Sequence, residues 1–261
     1  MSPVALVTGA ARGIGAATCD ALIGRGWSVV AFDACADDPA LGYALATPGD
    51  LDRLASTHGE RVATVVGDVR NQADLDAAVA VAEERFGPLD AAVAVAGVVA
   101  GGEPVWGATD REWEVLFDVN LTGVRRLAVA AVPALLRRPE PRQGRFVVVA
   151  SAAATLGLRR LGGYVSSKHA AVGLVRALAA DLAGTGITAN AVCPGSTRTD
   201  VLDESARIYG LGSAEEFAGH QLLERILEPS EPAALVAWLC EPESSGTTGA
   251  ALAVDGGMTT F

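Results

Sequence analysis

The sequence contains few basic residues and a marked excess of acidic ones. Its 261 residues include 20 Lys and Arg against 31 Asp and Glu, a formal net charge of −11 at pH 7. A surface of this sign repels phosphate groups and anionic headgroups. We therefore expect no nucleic acid and no membrane among its partners.

Cysteine pairs, histidine clusters and long apolar runs are also scarce. The four cysteines are scattered and form no C-x-x-C pair, so free thiols in a reducing cytoplasm are expected. His58, His169 and His220 show no metal-ligand spacing, so no metal site is predicted. No uncharged apolar run reaches the roughly 18 residues that span a bilayer, and the N-terminus has no basic region typical of a signal peptide. We predict a cytoplasmic protein.

Short apolar runs rich in β-branched residues alternate with longer helical patterns along the chain. Strands are predicted at residues 4–7, 29–32, 63–66, 91–96, 146–150, 188–192 and 251–254. Helices are predicted at residues 14–23, 72–86, 110–136, 163–182 and 232–239. Strands without polar alternation are buried on both faces, as in a parallel sheet covered by helices. The alternation never changes, so residues 1–261 are predicted to form a single α/β domain: a doubly wound Rossmann fold with a seven-stranded parallel sheet and helices on both faces.

Two stretches depart from this compact scheme. Residues 34–49 form an insert that contains Pro, Gly and Asp and follows the second predicted strand. Residues 196–225 form a long connecting segment before the last predicted helix. Connecting segments of this length in a compact domain are usually lids or binding loops, so we expect a substrate lid there.

A glycine-rich turn lies between the first predicted strand and the first helix, from Thr8 to Gly15. Strand, tight turn and helix form the layout in which helix N-terminal amides hold a pyrophosphate. In a chain with 30 glycines the turn alone is weak support, and an ordinary tight turn is the alternative. Asp33 strengthens the prediction because it closes the second strand, where a carboxylate accepts hydrogen bonds from an adenosine ribose.

The charges near Asp33 favour NAD over NADP. A ribose 2′-phosphate would face Asp33, with Asp37 and Asp38 nearby, and like charges at such range are unfavourable. Arg12 favours NADP instead, because a cation in the glycine turn could bind that 2′-phosphate. No second cation occurs between residues 31 and 51, so the cofactor is predicted to be NAD.

Asp68 and Val69 follow the third predicted strand and could contact the adenine. A helix N-cap for the next segment is an equally good interpretation of Asp68, and the two are compatible. Both residues are included in the predicted cofactor site.

Three residues in the second half of the chain have the spacing of a catalytic group. Tyr164 and Lys168 are four residues apart and share one helix face, and Ser151 follows a predicted strand at the edge where α/β sheets bind ligands. A nearby ammonium and a cationic nicotinamide favour the phenolate of a tyrosine, whose usual pKa is about 10. Taken singly, each residue has an ordinary structural explanation, as does Asn120 within a helix. Chance is a poor explanation of all of them after a dinucleotide turn.

These motifs resemble those of the short-chain dehydrogenase/reductase family over nearly the whole chain. The family's T-G-x-x-x-G-x-G motif corresponds to Thr8–Gly15, and its Pro-Gly turn to Pro194-Gly195. Its catalytic tetrad corresponds to Asn120, Ser151, Tyr164 and Lys168.

The resemblance implies a role for each of these residues. Tyr164 would exchange the proton, and Ser151 would orient the carbonyl or alcohol. Lys168 would lower the pKa of Tyr164 and bind the nicotinamide ribose. Asn120 would hold a water in a proton relay, and Thr199 would lie near the nicotinamide carboxamide. The predicted cofactor-binding residues are Gly9, Arg12, Gly13, Ile14, Gly15, Asp33, Asp68, Val69, Ala96, Gly97, Tyr164, Lys168, Pro194, Gly195, Thr197 and Thr199.

One motif departs from the family pattern. The fourth strand of the family ends in Asn-Asn-Ala-Gly, whereas this sequence has Ala94-Val95-Ala96-Gly97. The missing asparagines mainly stabilise the sheet and the cofactor pocket, so the departure bears on detail around the adenosine ribose. Gly97 still permits close approach of the backbone to the cofactor.

The insert at residues 34–49 also resembles that of a subgroup, the mycofactocin-associated, carveol dehydrogenase-like members from actinobacteria. Such members are thought to keep NAD bound and to pass electrons to a separate redox carrier. The resemblance implies that the insert folds over the adenine end and slows NAD release. A tolerated surface insertion is the alternative.

The residues expected around the substrate are nearly all apolar and include no cation, which disfavours carboxylate and phosphate substrates. They are Val98, Val99, Ala100, Ala152, Ala153, Ala154, Leu156, Leu158, Tyr209 and Leu211. We therefore predict a dehydrogenase or reductase that interconverts a secondary alcohol and a ketone with NAD.

Two alternative functions remain open. The first is a 3-oxoacyl-[acyl-carrier-protein] reductase, which would need a basic patch on its surface to bind the acidic carrier protein. Six arginines could form that patch: Arg125, Arg126, Arg137, Arg138, Arg159 and Arg160. The second is a regulatory protein that senses NAD without turnover, although a sensor would not need the whole tetrad. The family resemblance also implies a homotetramer.

Overall fold

The seven predicted strands form one parallel sheet in the computed structural model, which describes residues 2–260. The strands are β1 Val4–Thr8, β2 Ser28–Asp33, β3 Val62–Val66, β4 Ala91–Ala94, β5 Arg145–Val149, β6 Thr188–Pro194 and β7 Ala251–Val254. Their order is β3-β2-β1-β4-β5-β6-β7, with every neighbouring pair parallel. The fold class predicted from the sequence is confirmed.

Helices cover both faces of this sheet. They are α1 Gly13–Gly24, α2 Pro48–His58, α3 Gln72–Arg85, α4 Asp110–Phe117, α5 Gly123–Leu136, α6 Gly162–Asp181, α7 Asp200–Tyr209 and α8 Ser230–Cys240. Apolar residues of α3, α5 and α6 pack on one face of the sheet, and those of α1, α2 and α8 on the other. Alternate residues of β1 point to opposite faces, so Leu6 lies in the first core and Val7 in the second.

The structure corrects two of the predicted elements. β4 ends at Ala94, so Ala96 and Gly97 belong to the loop that follows it. The single helix predicted at residues 110–136 is divided by a π-helical turn, Asp118–Thr122. Asn120 lies in this wider turn, where its side chain bonds to the loop after β4. A π turn held by such side-chain hydrogen bonds does not change the apolar periodicity of the sequence. The sequence pattern therefore did not reveal it.

Helix α2 was not predicted, although its beginning has a recognisable sequence. Thr47 precedes Pro48, and the Asp50 carboxylate accepts hydrogen bonds from the Thr47 amide at 2.7 Å and from its hydroxyl at 2.8 Å. Proline in the first turn and a reciprocal cap are both typical of helix N-termini. Helix α7 likewise lies inside the stretch that was predicted only as a long connecting segment.

The helical stretch Asp110–Leu136 is long and apolar enough to cross a membrane by length and composition alone. In the fold its inner residues, among them Leu127 and Leu135, are fully buried in the core beside the sheet. The apolar character of the stretch is thus explained by packing within the domain.

Chain order reverses beside β1, because β2 lies on one side of it and β4 on the other. In doubly wound sheets the crevice at the carboxyl ends of the strands, at such a reversal, is where ligands bind. The glycine turn, Asp33 and Gly97 all follow strands that end at this edge. The fold therefore brings the predicted site residues to one crevice.

Candidate active site

A single cavity of about 520 Å³ runs along this edge of the sheet. All the predicted cofactor-binding residues line it, together with Ser151. Of the predicted substrate-pocket residues, Val98, Ala152, Ala153, Leu158, Tyr209 and Leu211 line it, whereas Val99, Ala100, Ala154 and Leu156 do not. The predicted cofactor site and the predicted catalytic residues Ser151, Tyr164 and Lys168 therefore share one continuous cavity.

The glycine turn is held by close backbone contacts. Gly9 has φ +66°, and a Cβ on it would lie 2.5 Å from the Ala96 nitrogen. A Cβ on Gly15 would lie 1.9 Å from the Gly9 carbonyl oxygen. The turn therefore packs against the end of β4 and delivers the uncharged first turn of α1 to the cavity wall. Helix N-terminal amides at such a place favour an anion such as a pyrophosphate.

The carboxylate of Asp33 is fixed at the end of β2. Its oxygens accept hydrogen bonds from the Ala11 amide at 3.0 Å and the Cys35 amide at 3.1 Å. Asp33 lines the cavity, and its contact with an adenosine ribose stays a prediction. The bond from Ala11 connects this carboxylate to the glycine turn.

Both arginines at this end of the cavity pair with carboxylates. Arg12 donates to the Ala44 carbonyl at 2.9 Å and forms an ion pair with Asp200 at 3.1 Å. Arg70 forms ion pairs with Asp68 and Asp38, each at 2.6 Å. The pKa of Asp68 is lowered, because hydrogen bonds with Arg70 outweigh the opposing effect of burial, which is the largest single contribution. This charge pattern leaves the adenosine end better suited to a ribose hydroxyl than to a 2′-phosphate.

The insert at residues 34–49 forms part of the cavity wall, because several of its residues line the cavity. Asp38 forms an ion pair with Arg70, and the Ala44 carbonyl accepts a hydrogen bond from Arg12. Within the insert, Asp37 accepts a hydrogen bond from the Leu45 amide at 2.7 Å. These bonds attach the insert to the glycine turn through Arg12 and to the loop after β3 through Arg70.

Ser151, Tyr164 and Lys168 meet at the other end of the cavity. Ser151 accepts a hydrogen bond from the Ala153 amide at 3.1 Å, and so caps the short helix that follows β5. Tyr164 lies in the first turn of α6 and Lys168 in the next. The Lys168 Nζ lies 5.8 Å from the centre of the Tyr164 ring and donates to the Val149 carbonyl at 3.3 Å. The phenol and the ammonium therefore face the same space.

Burial shifts the pKa values of both Lys168 and Tyr164. Burial lowers the pKa of Lys168 to about 8. It also raises the pKa of Tyr164, while a hydrogen bond with Ser151 acts in the opposite direction. The net shift of Tyr164 is upward, whereas the family resemblance implied a pKa lowered by Lys168. Loss of water around the phenol outweighs the hydrogen bond with Ser151.

Asn120 is buried behind the cavity and does not line it. Its Nδ2 donates to the Val98 carbonyl and to the Ser167 hydroxyl, both at 3.0 Å, and its Oδ1 accepts from the Val98 amide at 2.9 Å. A Cβ on Gly97 would lie 3.3 Å from this Oδ1 and 3.2 Å from the Lys168 Nζ. Asn120 therefore holds the loop after β4, and its place in a proton relay stays a prediction.

Residues of the segment 196–225 line the cavity near Tyr164. Tyr209 packs edge-on against Phe217 with ring centres 6.0 Å apart, and Phe217 against His220 at 5.7 Å. Phe217, His220, Tyr43 and Met258 line the cavity and were missed from the sequence. The apolar spacing within residues 200–209 could have revealed α7, but no sequence pattern marks Tyr43 or Met258.

No group of three or more His, Cys, Asp and Glu residues within residues 2–260 is arranged to hold a metal ion. All four cysteines are free, and three of them are buried.

Gly15→Ala is expected to disrupt the turn, because the new Cβ would overlap the Gly9 carbonyl. We expect a lower melting temperature and loss of any stabilisation by added NAD. Gly24→Ala, at the other end of α1, is the matched control, since nothing lies within 4 Å of its Cβ. It should leave stability unchanged or raise it by up to about 1 kcal/mol. Thermal unfolding with and without NAD measures both; equal behaviour of the two variants would contradict the packing described for the turn.

Comparison with known proteins identifies the family. Residues 9–259 match a family model described as enoyl-(acyl carrier protein) reductase. An NAD-dependent oxidoreductase of Mycobacterium tuberculosis is 36% identical over 97% of this chain and 94% of its own. A carveol dehydrogenase from Mycobacterium avium, solved with NAD, is 31% identical with a TM-score of 0.93, covering 99% of this chain and 98% of the other.

A second solved structure, a 3-ketoacyl-(acyl-carrier-protein) reductase from Brucella melitensis with NADH, is 28% identical with a TM-score of 0.86 and covers 98% of both chains. These similarities extend over the glycine turn, the sheet and the Ser151, Tyr164 and Lys168 group alike. They confirm the oxidoreductase class and the NAD prediction made from Asp33. The chain belongs to the short-chain dehydrogenase/reductase family.

Proposed function

We propose that this oxidoreductase interconverts a secondary alcohol and a ketone, with NAD as the hydride carrier and Tyr164 as the acid and base. One observation carries the proposal: a single cavity joins the glycine turn and Asp33 to the group formed by Ser151, Tyr164 and Lys168. Bound NAD would supply the hydride acceptor or donor and, when oxidised, a positive charge beside this group.

Ser151, Tyr164 and Lys168 have complementary roles in the proposed reaction. The Ser151 hydroxyl is fixed by the Ala153 amide and can hold the substrate oxygen. With its raised pKa, Tyr164 is protonated at neutral pH and can donate to the oxygen of a ketone that is being reduced. In the direction of alcohol oxidation it must first lose that proton. Lys168 is positioned to bind a ribose hydroxyl while its charge favours the phenolate.

Tyr164→Phe is expected to lower turnover by at least about 100-fold, since general acid–base catalysis commonly contributes that much. Because burial raises the pKa of Tyr164, alcohol oxidation should accelerate as pH rises into the alkaline range. Ketone reduction should slow over the same range. Initial rates of both directions, measured between neutral and alkaline pH, test this; an oxidation rate that falls with rising pH would contradict the role of Tyr164.

The substrate proposed is a neutral, apolar alcohol of moderate size, and a cyclic one is favoured. The wall around Tyr164 includes Leu158, Leu161 and Val201, and the rings of Tyr209 and Phe217 close it. Such a wall accommodates a hydrocarbon ring and offers no cation to a carboxylate. The similarity to a carveol dehydrogenase supports a cyclic secondary alcohol.

We further propose that NAD is retained between turnovers and that electrons leave through a separate redox carrier, as in the mycofactocin-associated subgroup. The support is the insert, which lines the cavity and is bonded to Arg70 through Asp38 and to Arg12 through Ala44. Protein purified without added nucleotide, then denatured and assayed for NAD, tests retention. About one NAD per chain is expected, and a preparation free of NAD would contradict retention.

Arg70→Gln is expected to release NAD several-fold faster, because it removes the ion pair that holds the insert at Asp38. The matched control is Arg53→Gln on α2, which removes an exposed pair with Asp50 away from the cavity. Dissociation is followed by loss of bound nucleotide during dialysis against a scavenging dehydrogenase. Equal release rates for the two variants would contradict an anchoring role for Arg70.

Reduction of 3-oxoacyl groups on a carrier protein is the second candidate, favoured by the Brucella melitensis structure and the matched family model. The basic patch it needs is weakened, because Arg137 pairs with Glu83 at 2.5 Å and Arg138 with Asp90 at 2.6 Å. Rates with a 3-oxoacyl thioester and with a cyclic alcohol, measured side by side, distinguish the candidates. A regulatory NAD sensor would show binding without turnover of either.

A homotetramer and a cytoplasmic location complete the proposal. The outer side of the α4–α5 stretch exposes Trp113, Val129 and Leu136, by 37%, 48% and 37% of their surfaces. Apolar side chains on the outside of a helix whose inner side is buried support association with another copy.

A further inference from the structure

Tyr43 of the insert reaches the substrate end of the cavity. Its ring packs against the buried cluster of Val99, Leu161 and Ile208, to which Tyr164 and Tyr209 also belong. It lines the same cavity as the catalytic group. A residue that starts from the segment over the cofactor thus forms part of the wall beside Tyr164.

The backbone on both sides of Tyr43 is fixed. The next residue, Ala44, accepts the hydrogen bond from Arg12 at 2.9 Å. On the other side, a Cβ on Gly42 would lie 2.9 Å from Arg207, whose guanidinium is bound at 2.6 Å by the buried carboxylate of Glu204. Contacts to the glycine turn and to α7 therefore determine where the ring of Tyr43 lies.

The hydroxyl of Tyr43 accepts a hydrogen bond from the Val99 amide at 3.1 Å. Within residues 2–260 the structure shows no acceptor for the hydrogen of this hydroxyl. Burial raises the pKa of Tyr43 to about 12, so the hydrogen stays in place at neutral pH. The phenol, which lines the cavity, therefore retains one donor that is free for a ligand.

Other hydroxyls on the same wall are already used. Tyr209 donates to the Arg159 carbonyl at 2.7 Å, and Ser205 donates to the Val201 carbonyl at 2.7 Å. Beyond the pair formed by Ser151 and Tyr164, Tyr43 thus offers a second polar contact to a ligand between the insert and α7.

We propose that Tyr43 determines substrate specificity by donating this hydrogen to a second oxygen atom of the substrate, separate from the oxygen that Tyr164 serves. The inference rests on the proposed function and narrows it. The substrate class is a cyclic secondary alcohol that carries a further hydroxyl or carbonyl oxygen. A donor in an apolar wall selects for such an oxygen, because a ligand that lacks it leaves the donor unpaired.

The test compares cyclohexanol with the three isomeric cyclohexanediols. Protein loaded with NAD is mixed with each alcohol, and NADH formation in a single turnover gives kcat/KM without depending on cofactor exchange. We expect the parent protein to prefer one diol over cyclohexanol by about tenfold or more. Tyr43→Phe keeps the ring and should lower this preference by about tenfold. Loss of the acceptor for the Val99 amide should change the rates with all four alcohols by a common factor, which the ratio of diol to cyclohexanol removes.

Tyr209→Phe is the matched control, because its hydroxyl is occupied by a backbone carbonyl. It should change all four rates by a common factor and leave the preference intact. An unchanged preference in Tyr43→Phe would overturn the inference, as would a change in NAD retention with equal effects on all four alcohols, which would assign the hydroxyl to the cofactor. A parent protein that forms NADH with none of these alcohols would contradict the proposed function itself.

Discussion

The tight contact between Gly15 and the Gly9 carbonyl determines the position of everything at the carboxyl edge of the sheet. With no side chain at either position, the first turn of α1 packs against Gly9, and Gly9 packs against the loop after β4. The Ala11 amide then reaches the carboxylate of Asp33 on β2, so turn and ribose site share a hydrogen bond. A bulkier residue would move the helix away from the crevice and separate the two.

The few cations near the cavity connect its parts. Arg12 joins the glycine turn to the insert through Ala44 and to α7 through Asp200, and Arg70 joins the insert to the loop after β3. The glycine turn, the insert and α7 are therefore connected by hydrogen bonds and ion pairs. This arrangement connects the charges around the predicted cofactor site with the placement of Tyr43.

Local sequence patterns predicted the sheet and the glycine turn, because apolar strands and such turns are determined by neighbouring residues. Other cavity residues, such as Pro194, Gly195 and Thr199, were predicted from the family resemblance. The π turn at Asn120 was not predictable in this way, since side-chain bonds to a distant loop stabilise it and the apolar period continues through it. Tyr43 gave no pattern because its function depends on contacts with Val99 and α7, far away in sequence. The direction of the Tyr164 pKa shift was also missed, because burial depends on the folded chain.

The most direct test of the central claim follows hydrogen itself. Protein loaded with NAD is incubated with a cyclic secondary alcohol that carries deuterium on the carbinol carbon, and the cofactor is then recovered and examined by mass spectrometry. Hydride transfer within the cavity predicts one deuterium in the reduced nicotinamide, and labelling at least about 100-fold slower when Tyr164 is replaced by Phe. Ketone formation by the parent protein with an unlabelled cofactor would contradict the account.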